Sequence, residues 1–556
     1  MKAIKKFIVL AAAAIGLSSC VGDLDLKPTD PRTLTAADFA KDPEDYMDRV
    51  MANVQMAFAT YGANGNSPVA GFDGGMATFQ RATFILEEIP TDEANWIATS
   101  DADYGQLQYG IPTASVKFIE GTYSRYIINV TFCNQFIQTV NDGYFNLDES
   151  LKPKADEYIR QCKILRSACY FYLVDCFGNV PYADENTAVG SIAPQLPREE
   201  IFTRVTQTLE DIVKEYEANP VEQRYGYVGV DVARALLVKF YLNAEVYTGT
   251  PAWDKCLAHS KAIIDRLKGP GFKGSGLANV YQQLFAVNND QYTIGGSNAV
   301  NEIIWGIPQE MPNLLSWANG TFMVAGWLSA SKPSDSWQCS FADYNVTDGW
   351  KCMTTRRQFV EKFDWNEATM ATSPDDRVRD WKTSKDGFSP DAPALDQDNF
   401  GSNCYLPMKF TNWALDAEGK RDTDLSPVAN NQNGIDYPVI RLAEIYLSAA
   451  EAILHGAGDK AEALTYVNYI RERALLSPWT SGELSLNSLQ DERCRELYTE
   501  NCRRTDLIRY GKYTSGYNWN WKNQVPGGAD LPAHFNLYPL PSSIVYLGGY
   551  TQNPGY

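Results

Sequence analysis

Apolar residues recur every three or four positions over long stretches of this chain, and that spacing predicts helices. The pattern starts near Ala36 and passes through Tyr46, Val50, Val54 and Phe58. It resumes from Thr78 to Leu86, from Phe118 to Val140, and from Lys152 to Phe177, where Gly178 supplies a stop. Arg198 to Tyr216, Asp231 to Tyr247 and Trp253 to Leu267 are further predicted helices. Between Gly269 and about Tyr437 the periodicity breaks in favour of Gly, Asn, Asp, Trp and Pro, with one strand-like run from Glu302 to Ile307. Helical spacing returns over Val439 to Leu454, Ala461 to Leu475 and Leu489 to Arg509. Gly62 to Gly75 reads as a glycine-rich loop, and Glu87 to Gly110 as a polar loop dotted with aromatics.

Two segments repeat one design. Tyr241-Leu242-Asn243-Ala244-Glu245 leads into a second helix near Trp253. Tyr446-Leu447-Ser448-Ala449-Ala450-Glu451 turns at Gly456 to Gly458 and continues through Ala461-Glu462-Ala463-Leu464. Small residues at fixed places let two helices cross closely, which is the logic of tetratricopeptide-like repeats. The expected fold class is therefore mainly α: a superhelical scaffold of helix pairs, a large loop-rich insert and little β structure. Generic antiparallel helix hairpins are the alternative.

The first residues change the picture. Lys2, Lys5 and Lys6 precede an apolar run from Phe7 to Leu17. A bilayer-spanning helix needs about 20 apolar residues, so this shorter run reads as a signal-peptide core. Leu17-Ser18-Ser19-Cys20 follows and resembles a lipobox, with Cys20 as the lipidated residue. The expected organisation is a signal peptide over 1–19, a lipid-anchored tether over 20–35 carrying Pro28 and Pro31, and one domain over 36–556. Within that domain the scaffold covers about 36–268 and 438–512, the insert about 269–437, and a C-terminal segment 513–556.

The formal charge of −19 argues against nucleic acid as a partner, because the phosphate backbone would be repelled. With 32 tyrosines and 13 tryptophans, the chain suits neutral, hydroxyl-rich ligands better than anionic ones. Cys162, Cys169 and Cys176 recur every seven residues, so they share one helix face and stand too far apart for neighbouring disulfides. They read as buried free thiols. Catalytic patterns are missing: His259, His455 and His534 lack metal-ligand spacing, and no GxSxG or phosphate-binding loop occurs. Glu87-Glu88 and Asp92-Glu93 read as solvated or capping charges, although a glycosidase needs only two carboxylates. No metal site is expected, and a structural calcium ion in the Asp/Asn-rich loops is left open.

Tyr437-Pro438-Val439-Ile440-Arg441-Leu442-Ala443-Glu444 resembles the strand-to-helix junction of the SusD/RagB family. Glu492-Arg493-Cys494-Arg495-Glu496-Leu497, Arg503, Asp506-Leu507-Ile508-Arg509 and Gly511-Lys512 carry the same resemblance. So do Leu165-Arg166-Ser167-Ala168, Phe177-Gly178-Asn179-Val180-Pro181, and the ending Gln552-Asn553-Pro554-Gly555-Tyr556. Asp23 and Asp25, after Cys20, resemble a surface-export signal.

The resemblance implies a non-catalytic, lipid-anchored protein on the outer face of the outer membrane. It implies glycan binding in the inserted loops and delivery to a SusC-like TonB-dependent transporter. Within the family the chain is most similar to the starch-binding founding member, which implies an α-glucan or maltooligosaccharide ligand. On that basis Asp73 and Arg81 resemble its hydrogen-bonding pair, while Trp96, Trp317 and Tyr292 resemble its aromatic platforms. A different glycan, a protein-interaction scaffold and a glycosidase are the competing expectations. Trp327, Trp337, Trp350 and Trp365 are alternative platforms.

Overall fold

The computed structural model describes residues 36–61, 74–98, 103–188, 190–291, 299–328, 340–350, 352–364, 373–383 and 405–556. The expected signal peptide, Cys20 and the tether lie outside these residues. Among them, no helix is long and apolar enough to cross a membrane.

The scaffold follows the hydrophobic spacing. Helix α1 (Pro43–Ala59) opens with Asp42, whose side chain accepts from the Asp45 amide, and buries Tyr46, Met47, Met51, Val54 and Phe58. Helix α2 (Phe79–Glu87) is buried on every side. Helices α3 (Lys117–Gly143) and α4 (Lys152–Phe177) form a long pair. Proline in its first turn suits the start of α4, where the missing amide would have no partner. Gly178, at φ 71°, ends it as expected, because that conformation is strained for any side chain. Cys162, Cys169 and Cys176 are buried free thiols.

Helices α5 (Arg198–Ala218), α6 (Val230–Leu242) and α7 (Trp253–Leu267) continue the stack, each packing on the one before. Helix α7 then packs on α8 (Leu442–Ala452), which packs on α9 (Lys460–Arg473). The insert is thus spliced between two helices that touch. Scaffold and insert meet at a two-stranded antiparallel sheet, where Ile307 opposes Tyr437 and Ile303 opposes Arg441.

The observed elements differ from the expected ones in four places. The predicted helix from Asp231 to Tyr247 is two, Val230–Leu242 and Ala244–Thr248, parted at Asn243. Tyr437–Arg441 is a strand, and the helix starts only at Leu442. The predicted helix from Leu489 to Arg509 is two helices, α10 (Leu486–Leu497) and α11 (Arg503–Arg509). Thr499 and Asn501, at φ 62° and 61°, break it. The segment after α2 is not a solvated loop: Glu87, Glu88, Asp92 and Glu93 are all buried.

The last two differences share one cause. The break exposes amides that the buried carboxylates need. Glu93 accepts from the Thr499 amide at 2.9 Å, Glu88 from Cys502 at 3.0 Å, and Glu87 from Thr505 at 3.2 Å. Asp92 takes both arms of the Arg503 guanidinium at 2.8 and 2.9 Å. A buried carboxylate without such partners would cost several kcal/mol, so chain break and acidic segment fit only together.

A larger ionic lattice closes the base of the insert. Arg441 donates to Glu302 at 2.6 Å, to Glu496 at 3.0 Å and to Glu500 at 2.6 Å. Arg473 reaches Glu302 at 2.7 Å, and Arg377 reaches Glu492 at 2.8 Å. All of these side chains are buried. At the C-terminus, Asn553 donates to the carbonyls of Phe177 and Tyr538 at 2.8 and 2.7 Å, pinning the last residues to the end of α4.

Candidate functional site

Arg81 lies in the first turns of α2, whose N-cap Thr78 accepts from the Arg81 amide. Its guanidinium donates through Nη1 to the carbonyl of Trp317 at 3.2 Å. The same group lies over the Phe322 ring at 4.3 Å and the Trp350 ring at 5.4 Å. Each such cation–ring contact contributes about 0.5–2 kcal/mol. Structure therefore joins two residues that stand far apart in sequence. At 5% exposure, however, Arg81 does not present a fork to solvent. It positions Trp317, and its Nε is buried without a hydrogen-bond partner among the described residues.

The Trp317 turn is held rigidly. Asn319, at φ 49°, donates through Nδ2 to Ala59 O at 2.9 Å and to Ser316 Oγ at 3.1 Å. Its amide donates to Gln80 Oε1 at 3.2 Å. A Cβ on Gly320 would meet the Ile435 Cβ at 2.6 Å, so the close approach requires glycine. Between these fixed points the Trp317 ring is only partly buried. Trp350 is partly buried too, and its amide donates to Ala325 O at 2.7 Å. The two indoles stand 6.1 Å apart at 52°. This is an open aromatic corner backed by a cation.

Trp96 occupies a different position. It lies in a short strand with Trp96 opposite Met353. At 1% exposure it is covered by Tyr104, and Phe322 separates it from Trp350. The expected open platform at Trp96 is thus a packed ring in this conformation, with its Nε1 buried and unpartnered among the described residues. Trp327, at 1% exposure, is core as well. Asp73, Tyr292, Trp337 and Trp365 lie outside the described residues. Sequence reading named Trp350 only as an alternative and missed Tyr104, Phe322 and Gln80, which carry no chemical signature of a site.

Carboxylates with raised pKa often mark catalysis. Burial pushes Glu87 and Glu93 up to about 7, with the Asp175 charge adding to the rise at Glu87. Both are sealed from solvent and accept backbone amides, which is a structural role. Glu87, Asp175 and Cys176 bring one possible ligand atom each within 4.8 Å. A thiol beside two carboxylates already engaged by Thr505 does not fit the all-oxygen shell of calcium. His259 pairs with Glu210 at 3.1 Å, and His455 stacks on Trp253.

A family model described as the SusD family matches residues 281–556, and one described as starch-binding associating with outer membrane matches residues 78–232. The starch-binding protein SusD of Bacteroides thetaiotaomicron is 28% identical, over 99% of this chain and 98% of that protein. A solved SusD superfamily protein from Parabacteroides distasonis is 20% identical with a TM-score of 0.66, covering 94% of this chain and 100% of that one. Surface glycan-binding protein A from Bacteroides thetaiotaomicron, solved in complex with laminarihexaose, is 17% identical with a TM-score of 0.63, covering 92% and 99%. Full-length similarity to a curated relative, two family models in sequence order and a shared helical fold agree, and the chain belongs to the SusD/RagB family.

Proposed function

We propose that this protein is a non-catalytic, cell-surface glycan-binding lipoprotein. It captures starch or maltooligosaccharides and passes them to a SusC-like TonB-dependent transporter of the outer membrane. Lipid on Cys20 is its anchor. The observation that carries the binding part is the corner formed by Trp317 and Trp350, fixed from behind by Arg81. A pyranose ring presents C–H groups that a flat indole covers, and such burial contributes about 25 cal/mol per Å². Two rings inclined at 52° fit a curved chain better than a flat one. Asp73 and Tyr292 complete the proposed surface, and Trp96 joins it if Tyr104 swings away. Removing water from sugar hydroxyls offsets much of the gain, so Kd should fall between about 1 mM and tens of μM.

The test is calorimetric titration of the chain starting at Val21 with a long or cyclic α-1,4-glucan, beside Trp317→Ala. Heat in the wild type that vanishes in the variant supports the reading. Absence of heat in the wild type removes starch as the ligand. Laminarihexaose, bound by a protein of the same fold, is then the first alternative glycan.

A further inference from the structure

A cavity lies away from Trp317. It has a volume of about 320 Å³ and is lined by the 223–227 segment between α5 and α6, the start of α6, the end of α7, and residues 300–304. That volume lies at the small end of ligand sites, which span about 300–1,000 Å³. Val232, Leu267, Ile303 and Ile304 give it an apolar floor. Tyr227 is 50% exposed in its wall.

The polar side chains of the lining are Gln223, Arg224, Asp231, Arg266 and Asn301, and Gln223 and Arg224 spend theirs on the Val221 carbonyl, the Val230 amide and Glu222. Arg266 gives Nε and Nη2 to the two oxygens of Asp231, with the Nε bond at 2.7 Å. Its Nη1 has no hydrogen-bond partner among the described residues. Asn301 spends its Nδ2 on the carbonyls of Leu267 and Gly276 at 3.3 and 3.0 Å. Its Oδ1 accepts no bond from a described residue. Tyr225 is held by donating to Asp436 at 2.7 Å. Beyond these pairings the cavity offers the Arg266 Nη1 donor, the Asn301 Oδ1 acceptor, the ring and hydroxyl of Tyr227, and an apolar floor. Both guanidinium groups of its lining are paired with carboxylates, Arg266 with Asp231 and Arg224 with Glu222 at 3.4 Å, which leaves no unpaired charge to select an anion or a cation.

We infer that this cavity is a second binding site for a single unit of a neutral sugar, gripped between the Tyr227 ring, Arg266 Nη1 and Asn301 Oδ1. The choice of sugar rests on the proposed function, but the geometry does not involve Trp317.

The experiment titrates maltose into Trp317→Ala protein labelled with ¹³C at isoleucine methyls. Ile303 and Ile304 methyl signals should move saturably in the mM range. In a protein that also carries Tyr227→Ala, the apparent Kd should rise about tenfold, the loss of roughly one aromatic platform. Silent methyls, or movement indifferent to Tyr227→Ala, overturn the inference. The indole Nε1–H signal of Trp317 in otherwise wild-type protein separates the two readings. If it stays silent while the methyls move, the Trp317 reading fails and the cavity stands. If it alone responds, only the cavity falls.

Discussion

The indole of Trp96 lies flat on the phenol of Tyr104, with ring centroids 3.7 Å apart and planes 6° from parallel. That contact occupies the face a sugar would need. It sorts the tryptophans of this region into a packed one, Trp96, and two partly open ones, Trp317 and Trp350.

Two substitutions separate those roles. Trp96→Ala should cost about 3–5 kcal/mol of stability, as large buried rings do. Trp317→Ala should cost about 1 kcal/mol or less and abolish the heat of glucan binding. Urea denaturation and calorimetry on both variants check the contrast.

Arg81→Lys keeps the charge but loses the planar group that spans Phe322, Trp350 and the Trp317 carbonyl. Glucan affinity should fall about tenfold, equal to about 1.4 kcal/mol. Titration of the variant measures it. A fall no larger than that of a distant surface variant would deny Arg81 its positioning role.

Glu496 serves Arg441, Arg473 and Arg377 inside the ionic lattice. Glu496→Gln leaves three buried guanidinium groups one charge short. Breaking one partner of a buried pair typically costs about 3–5 kcal/mol, and the urea midpoint should drop accordingly. Glucan affinity of the folded fraction should be unchanged.

Asp436 accepts from the Gln309 amide and the Tyr225 hydroxyl, both at 2.7 Å. Burial nevertheless pushes its carboxyl up to about 7, from an ordinary 3.8. A carboxyl raised on folding contributes stability that is full below its unfolded pKa and is lost as pH rises through the folded one. Asp436→Asn lacks this loss. Its stability relative to wild type should therefore climb between about pH 4 and 7, by on the order of 4 kcal/mol at 1.36 kcal/mol per unit. Urea titrations of both proteins across that range test the slope, and a flat difference would refute it.

How much was legible in the sequence follows from what each feature depends on. The helices from Pro43 to Leu267 were readable because their apolar stripes are local, and Asp42 and Gly178 mark two of their ends. The family motifs were readable for another reason. Arg441, Glu492, Arg493, Glu496, Arg503, Asp506 and Arg509 are all engaged in ion pairs within the core or beside it. Charges removed from water need specific partners at specific places, so these residues stand out as motifs while describing the frame and not the ligand. The 87–93 segment was misjudged because carboxylates read as solvated unless their amide partners, more than 400 positions away, are known.

Local pattern alone determined the helical class and the run of scaffold helices, since hydrophobic period and chain breakers act over a few residues. Tertiary structure decided which aromatic rings stay open. Trp96 and Trp317 are alike in sequence setting, each an indole in an irregular stretch. One is closed by Tyr104, while the other is held out by Arg81, Asn319 and Gly320. Ring exposure depends on groups brought in from distant segments, and no period or spacing along the chain encodes that.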